Sequence, residues 1–237
     1  MTERLFLEDA YLRHAAARVL RADAAGIMLD RTVFYARSGG QPGDGGVLRW
    51  DGGECRVAET IKGEGEAILH VPAEGSALPP VGAEVSGEID WAPRFALMRM
   101  HTAMHLMCAV LPSIAVTGGS VGGDRSRLDF NLPEAPDKAA IEAALNALIE
   151  ADHPVSHEWV EESVLDTNPA LVRTMSVQPP RGTGRLRLVR IGALEVPVDL
   201  QPCGGTHVAR TGEIGRVVVQ KIENKGKQNR RIVIVPG

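Results

Sequence analysis

A chain of 237 residues, with 44% hydrophobic and 24% charged side chains, can bury a substantial core in one large domain or two modest ones. No apolar run nears the roughly 18–20 residues that cross a bilayer, the charged opening MTERLFLEDAYLRH excludes a secretory signal, and three scattered cysteines exclude a disulfide framework, so a cytoplasmic protein without membrane contact is expected. The net charge of −4 conceals an asymmetry: residues 171–237 carry 12 Lys and Arg against 4 Asp and Glu, a basic surplus that suits phosphates or is simply a solvated face.

Residues 1–92 read as a small β-barrel or sandwich domain. Short apolar stretches (GIMLD, TVFYA, GVLRW, CRVAETI, EAILHV, EVSGEI) recur between Gly, Pro and Asp clusters. The proline-rich segment 70–85 is expected to skirt the barrel. From Asp90 the texture changes. PRFALMRMHTAMHLMCAVL has no Gly or Pro after its first residue, Pro93 suits a first helical turn and Pro112 follows the end, which predicts a helix over 93–111. SVGGDRSRLDFNL follows as a strand with its turn, and DKAAIEAALNALIEA predicts a second helix over 137–151, capped by Asp137. Residues 185–198 supply more strand, and RVVVQKI and RRIVIVP close the chain as a hairpin. Helices and strands mix without strict βαβ alternation, so the expected class is α+β: the barrel-like domain, then a mixed α/β domain over 93–237.

The chemistry concentrates in two short motifs. In Met100-His101-Thr102-Ala103-Met104-His105 the histidines stand four apart on the predicted helix, so their rings leave one face with Cβ atoms about 5–6 Å apart. That is half of a zinc site, or a pair of buried core histidines. Zinc peptidases place a glutamate after the first histidine; Thr102 stands there, which disfavours that chemistry. The second motif, QPCGGTHV, sets Cys203 four residues before His207, with Gly204 and Gly205 free to form a tight or left-handed turn. Together the three histidines and the cysteine make a ligand set whose softness suits one Zn2+ rather than Mg2+ or Ca2+. His153 and His157 share the spacing, but Pro154 lies between them beyond the second helix, and they are read as structural.

HTAMH with PCGGTHVARTGEIG, preceded by FYARSGGQPGDGG and followed by KIENKGKQNRRI, resembles the editing domain of alanyl-tRNA synthetase and its free-standing relatives, the AlaX alanyl-tRNA editing proteins, in their longer form with an N-terminal glycine-rich β domain. The motifs occur in the family's order and cover nearly the whole chain. The resemblance implies a hydrolase that deacylates tRNA for alanine mischarged with serine, and in some members with glycine, in the service of translation fidelity and without ATP. It implies that His101, His105, Cys203 and His207 hold the zinc. It also implies a catalytic role for Thr102, orienting the 3′ end or the water; bonding back to its own helix is the plain alternative.

Ser38 to Gly46 lacks the Lys-Ser/Thr of a phosphate loop and opens no helix. A hairpin turn is the plain reading; the resemblance makes Gly39, Gly40 and Gln41 a wall of the pocket for the aminoacyl adenosine, with Gly204 and Gly205 leaving room beside the metal. Thr117 or Ser120, in TGGSVGG, is implied to meet a seryl hydroxyl. Lys221, Lys225, Lys227, Arg230 and Arg231 gather around a predicted turn at Asn224, Gly226 and Asn229. That cluster suits the acceptor-stem phosphates, and Arg181, Arg185, Arg187 and Arg190 extend it or form a solvent-facing strand edge.

The expected reaction is hydrolysis of the ester joining an amino acid to the 3′-terminal ribose, with zinc either acidifying a water or gripping the substrate's α-amino group. The expected partner is the acceptor end of tRNA for alanine, and the expected state a monomer. Two rivals stand beside this reading: a non-catalytic RNA-binding module with a structural zinc, and an editing module for a threonyl system.

Overall fold

Six antiparallel strands close into a barrel: β1 (His14–Asp23), β2 (Gly26–Leu29), β3 (Gly46–Trp50), β4 (Gly53–Lys62), β5 (Ile68–Pro72) and β6 (Glu84–Ile89), in the order β1-β2-β5-β4-β3-β6. Alternation drives it. EVSGEI exposes every other residue and turns Val85, Gly87 and Ile89 inward. Val19, Ile27, Leu29, Phe34, Leu48 and Val57 fill the interior, tightly enough that a Cβ on Gly46 would stand 2.7 Å from the Phe34 ring and 2.2 Å from the Glu88 carbonyl. The computed structural model describes residues 2–175, 182 and 184–237, and their packing separates two units, Met1–Phe95 and Ala96–Gly237.

Two buried polar arrangements stiffen the first unit. His70 is fully buried; its Nδ1–H donates to the Ile27 carbonyl at 2.9 Å and its Nε2 accepts from the Thr32 hydroxyl at 2.7 Å. Burial pushes its pKa down to about 4. Arg94, 0% exposed, pairs with Asp44 of the glycine-rich motif through Nε at 2.9 Å and donates to the carbonyls of Ala10 and Val33 at 2.9 and 2.7 Å. Asp44 also accepts from the Tyr35 N–H at 2.6 Å. The motif's one acid is therefore an internal anchor, paired and hydrogen-bonded as a buried carboxylate requires.

Helix α1 (Trp91–Val110) begins two residues earlier than expected, which puts Pro93 in its first turn, where backbone N–H groups have no helical partner. From Leu97 to Cys108 every residue except Arg99 is buried, so the helix is apolar around its whole circumference. There follow β7 (Val116–Ser120), β8 (Ser126–Asn131), α2 (Lys138–Glu150), β9 (Val155–Glu161), β10 (Arg185–Gly192), β11 (Pro197–Pro202), β12 (Val217–Asn224) and β13 (Asn229–Pro236). They form two sheets, β12-β13-β8-β7 and β9-β10-β11. Asp137 caps α2 by accepting from the Ala140 N–H at 2.7 Å. Asn146 and Glu142 of that helix accept from the N–H groups of Val217 and Val219, covering the open edge of β12.

The architecture is α+β, and no helix among the described residues is long and apolar enough to cross a membrane. The strand content expected over 185–198 is present as parts of a hairpin, β10 and β11, turning over 193–196. One local expectation changes. β9 lies where no strand was expected, because most of its side chains are half-buried on both faces and VSHEWVE shows no clear apolar alternation.

Candidate metal centre

α1 presents His101 and His105 one turn apart, both buried, with ring centroids 5.3 Å apart. The loop that leaves β11 returns to the same face of the helix and brings Cys203 and His207. The Cys203 Sγ lies 3.3 Å from His207 Nε2 and 3.7 Å from His101 Nε2. One ligand atom from each of the four side chains falls within 4.8 Å of the others, an arrangement that can hold a metal ion.

Surrounding groups fix these side chains. His105 Nδ1 donates to Asp199 Oδ2 at 2.9 Å, and Gln201 Nε2 donates to the same oxygen at 2.8 Å. Arg187, itself buried, donates through Nη1 to the carbonyls of Cys203 and Gly205 at 2.9 and 3.2 Å and so ties down the ligand loop. Burial pushes the Cys203 thiol up, but His101 and His207 outweigh it and hold the pKa well below the usual range, toward thiolate. Burial, then His101, pushes His207 down to about 3. Burial pushes His105 down too, yet Asp199 and Cys203 more than reverse it, to about 10. Metal binding requires the thiolate and neutral imidazoles, so a cation entering this cluster would displace the proton that Asp199 and Cys203 favour on His105. Cys108, one turn beyond His105, is raised to about 12, first by burial and then by Asp199, and stays an inert thiol.

Residues 186–233 match the family described as "Threonyl and Alanyl tRNA synthetase second additional domain", and residues 8–93 match "tRNA synthetases class II (A)". Over 98% of its length the chain is 38% identical to the alanyl-tRNA editing protein AlaX-M of Methanosarcina acetivorans, covering 98% of that protein. The chain belongs to the AlaX-M family. The AlaX-M protein of Saccharolobus solfataricus is 34% identical with 98% of each chain covered. The alanine–tRNA ligase of Pyrobaculum aerophilum is 40% identical over 94% of this chain, which spans only 25% of that ligase.

In this AlaX-M family member the residues singled out in the sequence fall into distinct places. Thr102 is enclosed behind the cluster. It is 0% exposed, donates to the Met98 carbonyl at 2.9 Å, faces His207 Nδ1 at 3.1 Å and accepts from the Val208 N–H at 3.3 Å, so its hydroxyl is engaged by its own helix and by the loop that carries His207. Gly204 and Gly205 build the loop without positive φ. Gly204 is exposed, and a Cβ added to it would meet nothing within 4 Å, while Gly205 is buried with its N–H on Cys203 Sγ at 3.3 Å. Thr117 and Ser120 lie on β7, and the Thr117 hydroxyl donates to Asn229 Oδ1 at 3.0 Å. Gly39 and Gly40 adopt left-handed φ of 55° and 82° beside the buried Gln41, all in the first unit.

The basic tail divides. Lys221, Lys225 and Lys227 are exposed, Lys221 in a pair with Glu223. Arg230 is buried against the Asn224 side chain and the carbonyls of Gly226, Asn229 and Pro133, and Arg231 grips Asp129 through two bonds of 2.7 and 2.9 Å. Arg187 holds the ligand loop and Arg190 pairs with Glu158, so neither belongs to a free basic edge. Arg185 is exposed, and Arg181 lies outside the described residues. Asp199 and Gln201 were missed. Their signal was present: two polar residues in VDLQPC stand four and two positions before Cys203, the spacing that puts strand residues on one side.

Proposed function

We propose that this chain is a trans-editing deacylase that hydrolyses the ester between a wrongly attached amino acid, chiefly serine and secondarily glycine, and the 3′ end of tRNA for alanine. The observation that carries the reading is the convergence of His101, His105, Cys203 and His207 from two distant segments in a chain that AlaX-M proteins match end to end. The donor set fits zinc. A tetrahedral zinc with one thiolate and imidazoles has S···N edges of about 3.5 Å, and Cys203 Sγ stands 3.3 and 3.7 Å from two ring nitrogens. When bound, zinc supplies Lewis acidity to an ester carbonyl or a water.

The chain's own side chains do the positioning. Arg187 and the Gly205 N–H fix the ligand loop, and exposed Gly204 leaves open space beside Cys203 for a terminal adenosine. Exposed Lys225 and Lys227, at the tip of the β12–β13 hairpin, are placed to meet acceptor-stem phosphates. Such an activity needs no ATP and belongs in the cytoplasm with the tRNA pool. Relatives matching along the whole chain carry alanyl rather than threonyl names, which favours the alanine system.

One observation favours a second reading. Four protein ligands fill a tetrahedral shell, the habit of structural zinc, as in a non-catalytic RNA-binding module. Deacylation of seryl-, glycyl- and alanyl-tRNA for alanine, with and without chelator, separates the two. The seryl ester should be hydrolysed and the alanyl ester spared, and both chelation and Cys203→Ala should abolish zinc content and turnover together. Full activity in metal-free protein would end the zinc-dependent reading. Tight tRNA binding with every ester intact would establish the structural one.

A further inference from the structure

Asp199 is the least expected group in the second unit. It sits on β11 with its side chain fully buried, Oδ2 taking hydrogen bonds from His105 Nδ1 at 2.9 Å and Gln201 Nε2 at 2.8 Å. Its Oδ1, equally buried, has no hydrogen-bond partner among the described residues. A carboxylate withdrawn from water with half its acceptor capacity unused is costly, and an apolar residue of similar size would pack there more favourably. Something other than packing accounts for it.

The direction of the His105 bond supplies the reason. With Nδ1–H committed to Asp199, Nε2 is left as the ring nitrogen available to the ligand cluster. A carboxylate behind an imidazole also makes the opposite nitrogen a stronger donor. His207 is backed differently, by the neutral hydroxyl of Thr102 at 3.1 Å. Gln201, buried on the same side of the strand, holds the carboxylate in place.

We infer that Asp199 is a positioning residue of the metal centre, fixing the His105 ring with Nε2 toward the ion and strengthening that ligand, with Gln201 as its brace. The inference rests on the reading of the four side chains as zinc ligands. It is tested on the full chain by chelator-competition measurement of zinc affinity in wild type, Asp199→Asn and Asp199→Ala. Asn keeps the shape and one acceptor but removes the charge, and should weaken zinc about tenfold; Ala removes both, and should weaken it about a hundredfold.

A spectroscopic readout separates positioning from a general loss of structure. In the zinc-loaded protein the Nδ1–H proton of His105 should give a far-downfield NMR signal, shifted upfield by Asp199→Asn and lost to exchange in Asp199→Ala, with the His207 signals unmoved. Affinities within about threefold of wild type and an unshifted His105 signal in Asp199→Asn would overturn the inference, even if the Ala variant fails to fold. A wild-type chain that binds no zinc overturns this inference and the metal reading together. Zinc loss in the variants of a chain that hydrolyses nothing supports the role of Asp199 and sinks the deacylase reading alone.

Discussion

Thr102 has one hydroxyl hydrogen and three polar neighbours. Since the Met98 carbonyl can only accept, the hydrogen goes there, and toward His207 Nδ1 and the Val208 N–H the oxygen is the acceptor. Valine has nearly the same outline but would leave both donors buried and unmet, at about 1–3 kcal/mol each. Thr102→Val should therefore lower the unfolding free energy by about 2–6 kcal/mol in urea titrations, while Thr102→Ser stays near wild type. A Val variant as stable as the Ser variant, with only its turnover altered, would assign Thr102 to the substrate side. The clustering of His101, His105, Cys203 and His207 was legible because imidazole and thiol spacings have chemical meaning before any fold is known. The role of Thr102 was not, since a helix buried on all sides has no polar face to show which way a hydroxyl points. Asp199 was visible as a lone acid at strand spacing from Cys203, but its meaning depends on His105, 94 positions away in the chain and legible only once folded.

At the scale of elements, turn chemistry and alternation carried most of the fold. Asn224, Gly226 and Asn229 between two β-branched runs specified the closing hairpin, with Gly226 at φ 135° in its turn and its N–H on Asn224 Oδ1 at 2.9 Å. What the sequence could not divide was the hairpin's charge. Five cations in eleven residues look alike as letters, yet Arg230 and Arg231 spend their donors on the protein's own carbonyls and on Asp129, whereas Lys225 and Lys227 face water. Only an unengaged cation can release counterions from a phosphate backbone without first breaking a bond in its own fold. Lys225→Ala with Lys227→Ala should thus weaken tRNA binding and reduce the log–log salt slope by about 2, with no change in melting temperature. An unchanged slope would move the tRNA interface off this tip. The same limit explains β9, whose pairing with β10 is extensive but whose residues have no face apolar enough to read.

For the molecule as a whole, acid acts through imidazoles before it acts through carboxylates. Protons would compete with any metal held by Cys203 and the three histidines. His70 contributes independently of any metal. Burial lowers its folded pKa from the usual 6.5 to about 4, so between those values the unfolded chain binds a proton that the folded chain refuses. Its neutral, doubly hydrogen-bonded form is compatible with full stability above pH 6.5, and stability is lost progressively toward pH 4, by about 3 kcal/mol in all. Carboxylates such as Asp129, held low first by Arg231, lose their contribution only below their ordinary 3.8. His207, pushed to about 3, acts with the same sign as His70 when no metal is bound, so the measurement has to be a difference. In chelator-treated protein, His70→Gln should be less stable than wild type at pH 7, having lost a shaped and fully bonded ring, and that gap in unfolding free energy should shrink by about 3 kcal/mol at pH 4 because glutamine does not titrate. Urea denaturation of both proteins at several pH values reads this directly. A gap that stays constant from pH 7 to 4 would mean that the folded barrel accepts the proton on His70, and that its two hydrogen bonds do not hold the ring neutral.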